Sequence, residues 1–155
     1  MVPFRCVPMG SAAARRFRET GIDDGGNHLH RQVADHPSPC RHCLAEAVRG
    51  EAVLLGSYHF GRPNGIYWTP SPIWVHAEGC GRFEHLDRVP EIVRNRLVSV
   101  RAYDARDFCL YDLGDVSDGR DVDALIQRCL GDSRTDFVNI HTARPGCFLC
   151  RVERA

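Results

Sequence analysis

The segment that decides the fold is FVNIHTARPGCFLCRV, residues 137–152. Its first part, Phe137–Thr142, alternates apolar and polar side chains with the period of two that is typical of a half-buried β-strand. Pro145-Gly146 is a turn signal, because proline fixes φ and glycine accepts the conformations that turns need. A second apolar segment, Cys147–Val152, follows the turn. The pattern therefore predicts two strands that pair as an antiparallel hairpin.

Further strand-like segments lie upstream, and most of them come in neighbouring pairs. Each segment is short, rich in apolar or β-branched residues, and bounded by Gly, Pro or Asn, which punctuate strands. A turn at Gly61–Gly65 is expected to join Val53–Phe60 and Ile73–Ala77 into an antiparallel hairpin. The predicted strands are Phe4–Pro8, Val53–Phe60, Ile73–Ala77, Val98–Tyr103 and Phe108–Tyr111.

Three segments have the apolar spacing of short helices. The clearest begins after a capping Asp121 and ends at Gly131, with apolar side chains on one face. A second begins with a capping Ser11, and a third extends from Pro90 to Leu97. Because the strands come in hairpins and the helices are interspersed irregularly, we predict an α+β fold. It consists of a mainly antiparallel sheet with two or three short helices packed on it.

Two segments have no clear periodicity. Asp23–Pro39 is rich in Gly, Asp, His and Pro, and we expect it to form a long surface loop. Leu44–Val48 is expected to form one helical turn before the chain reaches Gly50. These two segments flank the densest group of reactive side chains in the sequence.

Length and composition predict a single domain over residues 1–155. The 20 basic residues balance the 20 acidic ones, so no net charge attracts nucleic acid or an acidic membrane surface. The sequence has no apolar stretch of about 18 residues, as a membrane-spanning helix requires. The start, Met1–Cys6, lacks the charged leader and apolar core of a signal peptide, so we expect a cytoplasmic protein.

The reactive group is Pro39-Cys40-Arg41-His42-Cys43-Leu44. Thiols stay reduced in the cytoplasm, so these cysteines serve packing, metal ligation or catalysis. Loop or helix-start geometry places Cys40 and Cys43 on one side of the chain. His76 and Cys80 are a second pair with ligand-like spacing, and the two pairs together form a tetrahedral donor set for zinc. A metal-binding or structural module, with zinc as its cofactor, is therefore the first functional hypothesis.

The second C-x2-C pair, Cys147 and Cys150, is a weaker source of ligands. In an extended strand, side chains at i and i+3 face opposite sides, so their two sulfurs cannot hold one metal ion. Cys147 lies beside the turn and is the runner-up ligand, whereas Cys150 is expected in the core. Cys129, on the apolar face of its predicted helix, is also expected in the core.

A thiol-dependent redox enzyme is the second hypothesis. In this interpretation Cys40 is the nucleophile and Cys43 resolves the mixed disulfide, while His42 and Arg41 favour the thiolate. Oxidoreductases of this kind place such a motif directly after a core strand, whereas here a Pro-rich loop precedes it. The packing of partly buried cysteines, without any chemistry, is the remaining interpretation.

A sheet face offers the third hypothesis, a site for a small anionic ligand. Strand parity places Arg101 and Tyr103 on one face, and Asn139 and His141 on one face of their own strand. If these strands are neighbours, Arg101, Tyr103 and His141 line a shallow polar pocket that suits a carboxylate or another anion. A solvated sheet face is the alternative.

The motif and several later segments resemble a bacterial family known as domain of unknown function 1203, or DUF1203. The similarity extends in order over nearly the whole chain, although Ser71 stands where members usually have Gly. It implies a free-standing bacterial domain of this size and no particular activity. The segments that carry the resemblance are Pro39–Leu44, Gly50–Leu55, Pro72–His76, Arg101–Asp104 and Gly146–Val152.

Overall fold

The computed structural model describes residues 1–63 and 65–155 of the chain. These residues form ten strands and three helices, and the strands within each sheet pair antiparallel. The α+β class predicted from the sequence is therefore confirmed. The predicted turn at Gly61–Gly65 includes Asn64, which lies outside the described residues.

The larger sheet has five strands and is built around the C-terminal hairpin. In spatial order its strands are β1 (Phe4–Val7), β10 (Phe148–Arg154), β9 (Phe137–Thr142), β7 (Leu97–Tyr103) and β8 (Asp115–Asp118). The predicted bounds of β9 are confirmed, and β10 begins at Phe148 rather than at Cys147. β9 is the central strand, paired along both edges, and its side chains are almost all buried.

Two smaller sheets carry the segments that surround the cysteine motif. The three-stranded sheet has the order β2 (His30–Val33), β5 (Ala52–Tyr58) and β6 (Ser71–His76), and the two-stranded sheet pairs β3 (Ser38–Pro39) with β4 (Glu46–Ala47). The antiparallel pairing of β5 with β6 confirms the predicted hairpin. Its register places Val53 opposite His76, so His76 lies at the open end of the hairpin.

The helices cover two separate cores. They are α1 (Ser11–Thr20), α2 (Glu91–Arg94) and α3 (Val122–Gly131). The apolar face of α3, including Cys129, is buried against the five-stranded sheet as predicted. Ala14 and Phe17 of α1 pack in the second core, with side chains from β5 and β6 and with Cys40. None of the helices within residues 1–63 and 65–155 is long and apolar enough to cross a membrane.

The prediction of a long surface loop over Asp23–Pro39 is wrong, because this segment contains β2 and β3. β2 is an edge strand with largely exposed side chains, and its sequence, HRQV, is mostly polar. It is held in the sheet by backbone pairing with β5, so it lacks the apolar pattern from which a strand is predicted. β3 ends at Pro39, the first residue of the cysteine motif.

The predicted helical turn at Leu44–Val48 is wrong, because this segment contains β4. Leu44 has φ of 54°, in the left-handed region where a right-handed helix cannot continue. Leu44 is nevertheless buried in the main core, so an apolar side chain occupies an unusual backbone conformation. This conformation ends the cysteine turn and directs the chain into β4.

Two further boundaries differ from the predictions. The helix predicted up to Leu97 ends at Arg94, and Leu97 begins β7 with its side chain partly exposed. Phe108–Tyr111 is not the strand partner of β7: of this segment only Cys109 forms a bridge to β7, and the partner is β8. A tight turn closed by the side chain of Asp104 precedes Phe108, and a second turn, in which the N–H of Leu113 donates to the carbonyl of Leu110 at 3.1 Å, follows directly.

The predicted helix caps are also corrected by the structure. The residue before α1 is Gly10, and Ser11 is already helical, so its hydroxyl does not cap the helix. Asp121 precedes α3 as expected, but its carboxylate makes no capping hydrogen bond. The Ser11 hydroxyl instead contacts a histidine of the cysteine motif, which makes Ser11 part of the candidate site.

Candidate metal centre

A closed turn brings the first two cysteines to one side of the chain. Cys40 directly follows β3, and its backbone N–H donates to the carbonyl of Ala45 at 3.0 Å. The N–H of Leu44 donates back to the carbonyl of Cys40, also at 3.0 Å. The residues between are therefore curled rather than extended, and the sulfurs of Cys40 and Cys43 face the same way, as the sequence predicts.

The other two candidate ligands lie where β6 ends. His76 is the last residue of β6, and Gly79 has φ of 91°, a conformation that favours glycine and turns the chain back toward Cys80. The turn that carries Cys40 lies alongside β6, because the N–H of Arg41 donates to the carbonyl of Trp74 at 3.0 Å. Backbone pairing therefore holds the two halves of the cluster together.

Cys40, Cys43, His76 and Cys80 converge in the structure. One donor atom from each residue can be chosen so that all four atoms lie within 4.8 Å of one another. The Sγ atoms of Cys40 and Cys80 are 3.7 Å apart, and Cys43 Sγ is 3.5 Å from Nδ1 of His76. The runner-up ligand Cys147 is not a member of this group.

These distances match the edges of a zinc coordination tetrahedron. Zinc–sulfur bonds of about 2.3 Å at tetrahedral angles separate two sulfurs by about 3.8 Å. With a zinc–nitrogen bond of about 2.05 Å, a sulfur and a nitrogen lie about 3.6 Å apart. All eight cysteines are free thiols, so a disulfide does not account for the close approach. The donor set and its spacing therefore fit zinc.

The side chains around the cluster support thiolate and imidazole ligands. His76 directs Nδ1 at Cys43, and its Nε2 lies 3.3 Å from a carboxylate oxygen of Glu51, an arrangement that fixes the ring of a metal-bound histidine. Nη2 of Arg18 donates to Cys80 Sγ at 3.4 Å, while its Nε donates to the carbonyl of His76 at 2.9 Å. The backbone N–H of His76 donates to Cys40 Sγ at 3.4 Å.

His42 links the cluster to the start of α1. Its Nδ1 is 3.3 Å from Cys80 Sγ, and its Nε2 is 2.9 Å from the hydroxyl of Ser11. If Cys80 is a thiolate, Nδ1 carries the hydrogen and donates to the sulfur, and Nε2 accepts the Ser11 hydrogen. A neutral imidazole satisfies both contacts, and burial lowers the pKa of His42 in agreement with that state.

The three sulfurs do not ionise independently. Hydrogen bonds from the thiols of Cys43 and Cys80 lower the pKa of Cys40 well below that of an ordinary thiol. The hydrogen that Cys43 and Cys80 each direct at Cys40 raises their own pKa values. His76 also has a raised pKa, chiefly through its contact with Cys40. The cluster therefore shares protons among its donors, and a divalent cation can replace those protons.

The guanidinium of Arg41 donates to backbone carbonyls rather than to the sulfurs that it was expected to activate. It is buried and donates to the carbonyls of Phe148 and Pro39, so it fastens the motif to β10.

Three further side chains of the site, Arg18, Glu51 and Ser11, carry no signal in the sequence. Arg18 follows Ser11 by seven positions, two helical turns, so it lies on the same face of α1. The contacts that join this face to the cysteine motif and to Cys80 are tertiary and lie outside any local pattern.

The comparisons with known proteins assign the sequence to a family. A family model described as "Protein of unknown function (DUF1203)" matches residues 37–154. The chain belongs to the DUF1203 family. The match in DUF1203 includes all four clustered residues and the C-terminal hairpin, whereas Ser11 and Arg18 precede it. Neither the curated proteins nor the solved structures include a significant match to the chain.

The residues of the third hypothesis also come together. Arg101 and Tyr103 of β7 and His141 of β9 line one pocket on the face of the five-stranded sheet. The predicted parity is confirmed, because Arg101 lies opposite Asn139 and Ser99 lies opposite His141 in the ladder. Tyr103 is more buried than a solvated sheet face allows, since Phe137 stacks on it and Tyr67 meets it edge-on.

Proposed function

We propose that the chain is a metal-binding module in which Cys40, Cys43, His76 and Cys80 hold one zinc ion with a structural role. The observation that carries the proposal is the convergence of the four donor atoms, which lie within 4.8 Å of one another, with the two separations of 3.7 and 3.5 Å close to those of a zinc tetrahedron. A set of three cysteines and one histidine is typical of structural zinc sites in proteins.

A structural role is favoured over a catalytic one because the protein supplies four ligands. Catalytic zinc sites usually have three protein ligands and keep a position for water or substrate. Cys40 is fully buried, and Cys43, His76 and Cys80 are half-buried, so the protein would cover part of the ion's surroundings. Three thiolates on a dication leave a charge of −1, and the guanidinium of Arg18 offsets that charge.

The ion would fasten together parts of the chain that are far apart in sequence. Cys40 and Cys43 lie between β3 and β4, whereas His76 and Cys80 lie at and beyond the end of β6. The two-stranded sheet is too small to bury a core of its own, so a metal crosslink to β6 compensates for the missing apolar contacts. Zinc is therefore proposed to stabilise the motif and its surroundings.

The test is the zinc content of the full-length protein purified without an affinity tag. Elemental analysis is expected to find one zinc per chain, and Cys80→Ser is expected to lose most of it. Cys109→Ser is the matched control, because Cys109 is half-buried and lies outside the cluster. Absence of stoichiometric zinc in the wild-type protein would refute the proposal.

A second readout covers the case in which Cys80→Ser fails to fold. Wild-type protein whose zinc is replaced by cobalt(II) should show the intense visible bands of a tetrahedral thiolate complex. Octahedral cobalt spectra would contradict the assignment even if some metal were bound.

The alternative, a thiol enzyme that uses Cys40, receives less support. Cys40 is fully buried, so a substrate has no direct path to its sulfur, although its pKa is lowered. Labelling with iodoacetamide discriminates between the two functions when it is done with zinc-loaded and chelated protein. A zinc site predicts that Cys40 is protected until zinc is removed, whereas a redox nucleophile predicts rapid labelling at neutral pH in both samples.

A further inference from the structure

The pocket on the five-stranded sheet contains an ordered row of polar side chains. Asn139 of the central strand lies opposite Arg101 on one side and opposite Arg151 on the other. Directly opposed residues share a sheet face, and neighbouring strands are about 4.8 Å apart, so the two arginines begin about 10 Å apart with Asn139 between them. Two cations therefore flank an amide at the base of one pocket.

The two arginines have little internal compensation for their charges. Arg101 donates to the hydroxyl of Ser99 at 3.2 Å, and within residues 1–63 and 65–155 it forms no ion pair. Arg151 stacks on the ring of Phe137, with Cζ 3.9 Å from the ring centroid, and reaches Glu153 only at 3.9 Å. The pocket's other charges, Arg62 and Asp107, pair with each other at 2.8 Å. The net charge of the pocket is therefore positive.

Two residues that line this pocket each have a buried acceptor atom without a partner in the described part of the chain. Asn139 is 6% exposed and His141 is 4% exposed, yet within residues 1–63 and 65–155 neither Oδ1 of Asn139 nor Nε2 of His141 makes a hydrogen bond. Nδ1 of His141 lies 3.0 Å from the carbonyl oxygen of Gly146, which can only accept, so Nδ1 carries the hydrogen and Nε2 carries a lone pair. Burying such atoms without a partner costs about 1–3 kcal/mol each.

We propose that this pocket binds a small organic anion, a carboxylate that carries a hydroxyl group on the adjacent carbon. The carboxylate is held by Arg101 and Arg151, whose planar guanidinium groups suit its two oxygens. The hydroxyl donates to Nε2 of His141, which satisfies one of the two acceptors. This proposal is independent of the metal site, because the two share no residue.

The remaining walls indicate what the rest of the ligand looks like. Tyr67, Trp68, Tyr103 and Phe137 line the pocket, so an aromatic or other flat apolar group can pack beside the anion. The cavity volume is about 40 Å³ and the pocket opens to solvent, so the carboxylate and the hydroxyl would occupy the cavity while a ring packs at its mouth. Mandelate combines the ring, the carboxylate and the adjacent hydroxyl, and serves as the probe.

His141 is suited to accept a hydrogen bond at neutral pH. Burial and the charge of Arg101 lower its pKa to about 4, so the ring is neutral and Nε2 keeps its lone pair. A protonated ring would instead donate from Nε2 and would favour a ligand without the hydroxyl. The neutral ring is the reason for expecting a hydroxylated carboxylate rather than a simple one.

The experiment is a titration of the zinc-loaded full chain, followed by nuclear magnetic resonance of its backbone amides. The probes are mandelate, phenylacetate, which lacks the hydroxyl, and benzyl alcohol, which lacks the carboxylate. Saturable shifts on β7, β9 and β10 are expected, with mandelate binding at least tenfold more tightly than either control compound. Shifts confined to other parts of the chain, or no saturation with any of the three compounds, would overturn the proposal.

Two variants test the assigned contacts. Arg101→Gln is expected to weaken mandelate binding at least tenfold, whereas Arg31→Gln, an exposed arginine of β2, leaves it unchanged. His141→Asn keeps a donor toward Gly146 but removes Nε2, so mandelate should then bind no better than phenylacetate. Equal affinities of mandelate for wild type and Arg101→Gln would refute the assignment. If His141→Asn does not fold, the mandelate and phenylacetate affinities of the wild type still decide the role of the hydroxyl.

The outcome is separable from that of the metal proposal. Zinc content is measured on the same samples, and the pocket variants should retain it. Protein that binds zinc but none of the probes would contradict only the pocket. Protein that binds mandelate through Arg101 but contains no zinc would contradict only the metal site.

Discussion

The cysteine cluster and the sheet pocket are both polar sites, but they differ in how their groups are matched. In the cluster, four donors lie within 4.8 Å of one another, and Cys40, His76 and Cys80 each have a further contact outside the donor set or with its backbone. In the pocket, two arginines lie beside two buried acceptor atoms that have no partner within residues 1–63 and 65–155. The first arrangement needs only a cation at its centre, whereas the second needs an external molecule that bears both a charge and a donor.

The difference shows how the matching of polar groups separates a structural site from a binding site. Four protein donors that converge on one point leave no coordination position for exchange, and so they suit a permanent ion. Cations and acceptors that line a pocket open to solvent, and that do not satisfy one another, suit a ligand that comes and goes. The comparison therefore predicts that the cluster contributes to the stability of the folded protein and that the pocket contributes to ligand binding.

The largest expected effect is the loss of stability when zinc is removed. With free zinc about 1,000 times above the dissociation constant, bound metal stabilises the folded state by about 4 kcal/mol. Chelated protein should therefore unfold at a markedly lower urea concentration than zinc-loaded protein. Identical urea midpoints for the two samples would remove the distinction between the cluster and the pocket.

The stability of the folded protein should depend on pH through His141, a residue of the pocket. The folded-state pKa of about 4 lies below the ordinary histidine pKa of 6.5 in an unfolded chain, because burial and the nearby Arg101 and Arg41 disfavour the cation. The unfolded chain then binds more protons between these two values, so stability falls as the pH decreases from about 6.5 to about 4. A shift of this size corresponds to roughly 3 kcal/mol.

The measurement compares the wild-type protein with His141→Asn by urea unfolding at several pH values. The difference between the two proteins isolates His141, because protonation of the proposed zinc ligands affects both equally. The wild type should lose more stability than His141→Asn over this pH range. Parallel stability curves for the two proteins would show that His141 is not held in its neutral form.

A smaller effect is expected from the group that orients the metal-binding histidine. Glu51→Gln keeps the shape of the side chain but removes the charge beside Nε2 of His76. Loss of such an outer contact typically weakens metal affinity about 10- to 100-fold. Competition with a chromophoric chelator measures the change, and Glu78→Gln, an exposed carboxylate two residues after His76, is the control. Equal zinc affinities for Glu51→Gln and Glu78→Gln would show that Glu51 does not support the site.

Part of both sites could be predicted because their residues lie in regular elements. Alternation along β7 and β9 placed Arg101, Tyr103 and His141 on a common face, and the ladder between these strands confirms it. Arg151, the second arginine of the pocket, follows from the same parity once β10 is paired with β9. Its place opposite Asn139 could not be read from the turn, because the register of the hairpin shifts between Phe148 and Cys150.

Other contacts could not be predicted because they cross between elements that have no sequence relation. Arg18 lies on α1 and reaches Cys80 across the second core. Ser11 has the sequence features of a helix cap, and only the tertiary structure brings His42 to its hydroxyl. Local preferences favour a cap at such a position, but they carry no information about a partner 31 residues away.

The sequence by itself determined the α+β class, the pairing of its main hairpins, the membership of the family and the identities of the four clustered residues. Periodicity and short spacing encode these properties, because they depend on neighbours along one strand, one helix or one turn. The tertiary structure decided that the donor atoms of Cys40 and Cys43 meet those of His76 and Cys80 at 3.5–3.7 Å. It also decided that Asn139 and His141 have atoms without a partner in the described part of the chain beside two arginines, since packing between distant segments fixes both results.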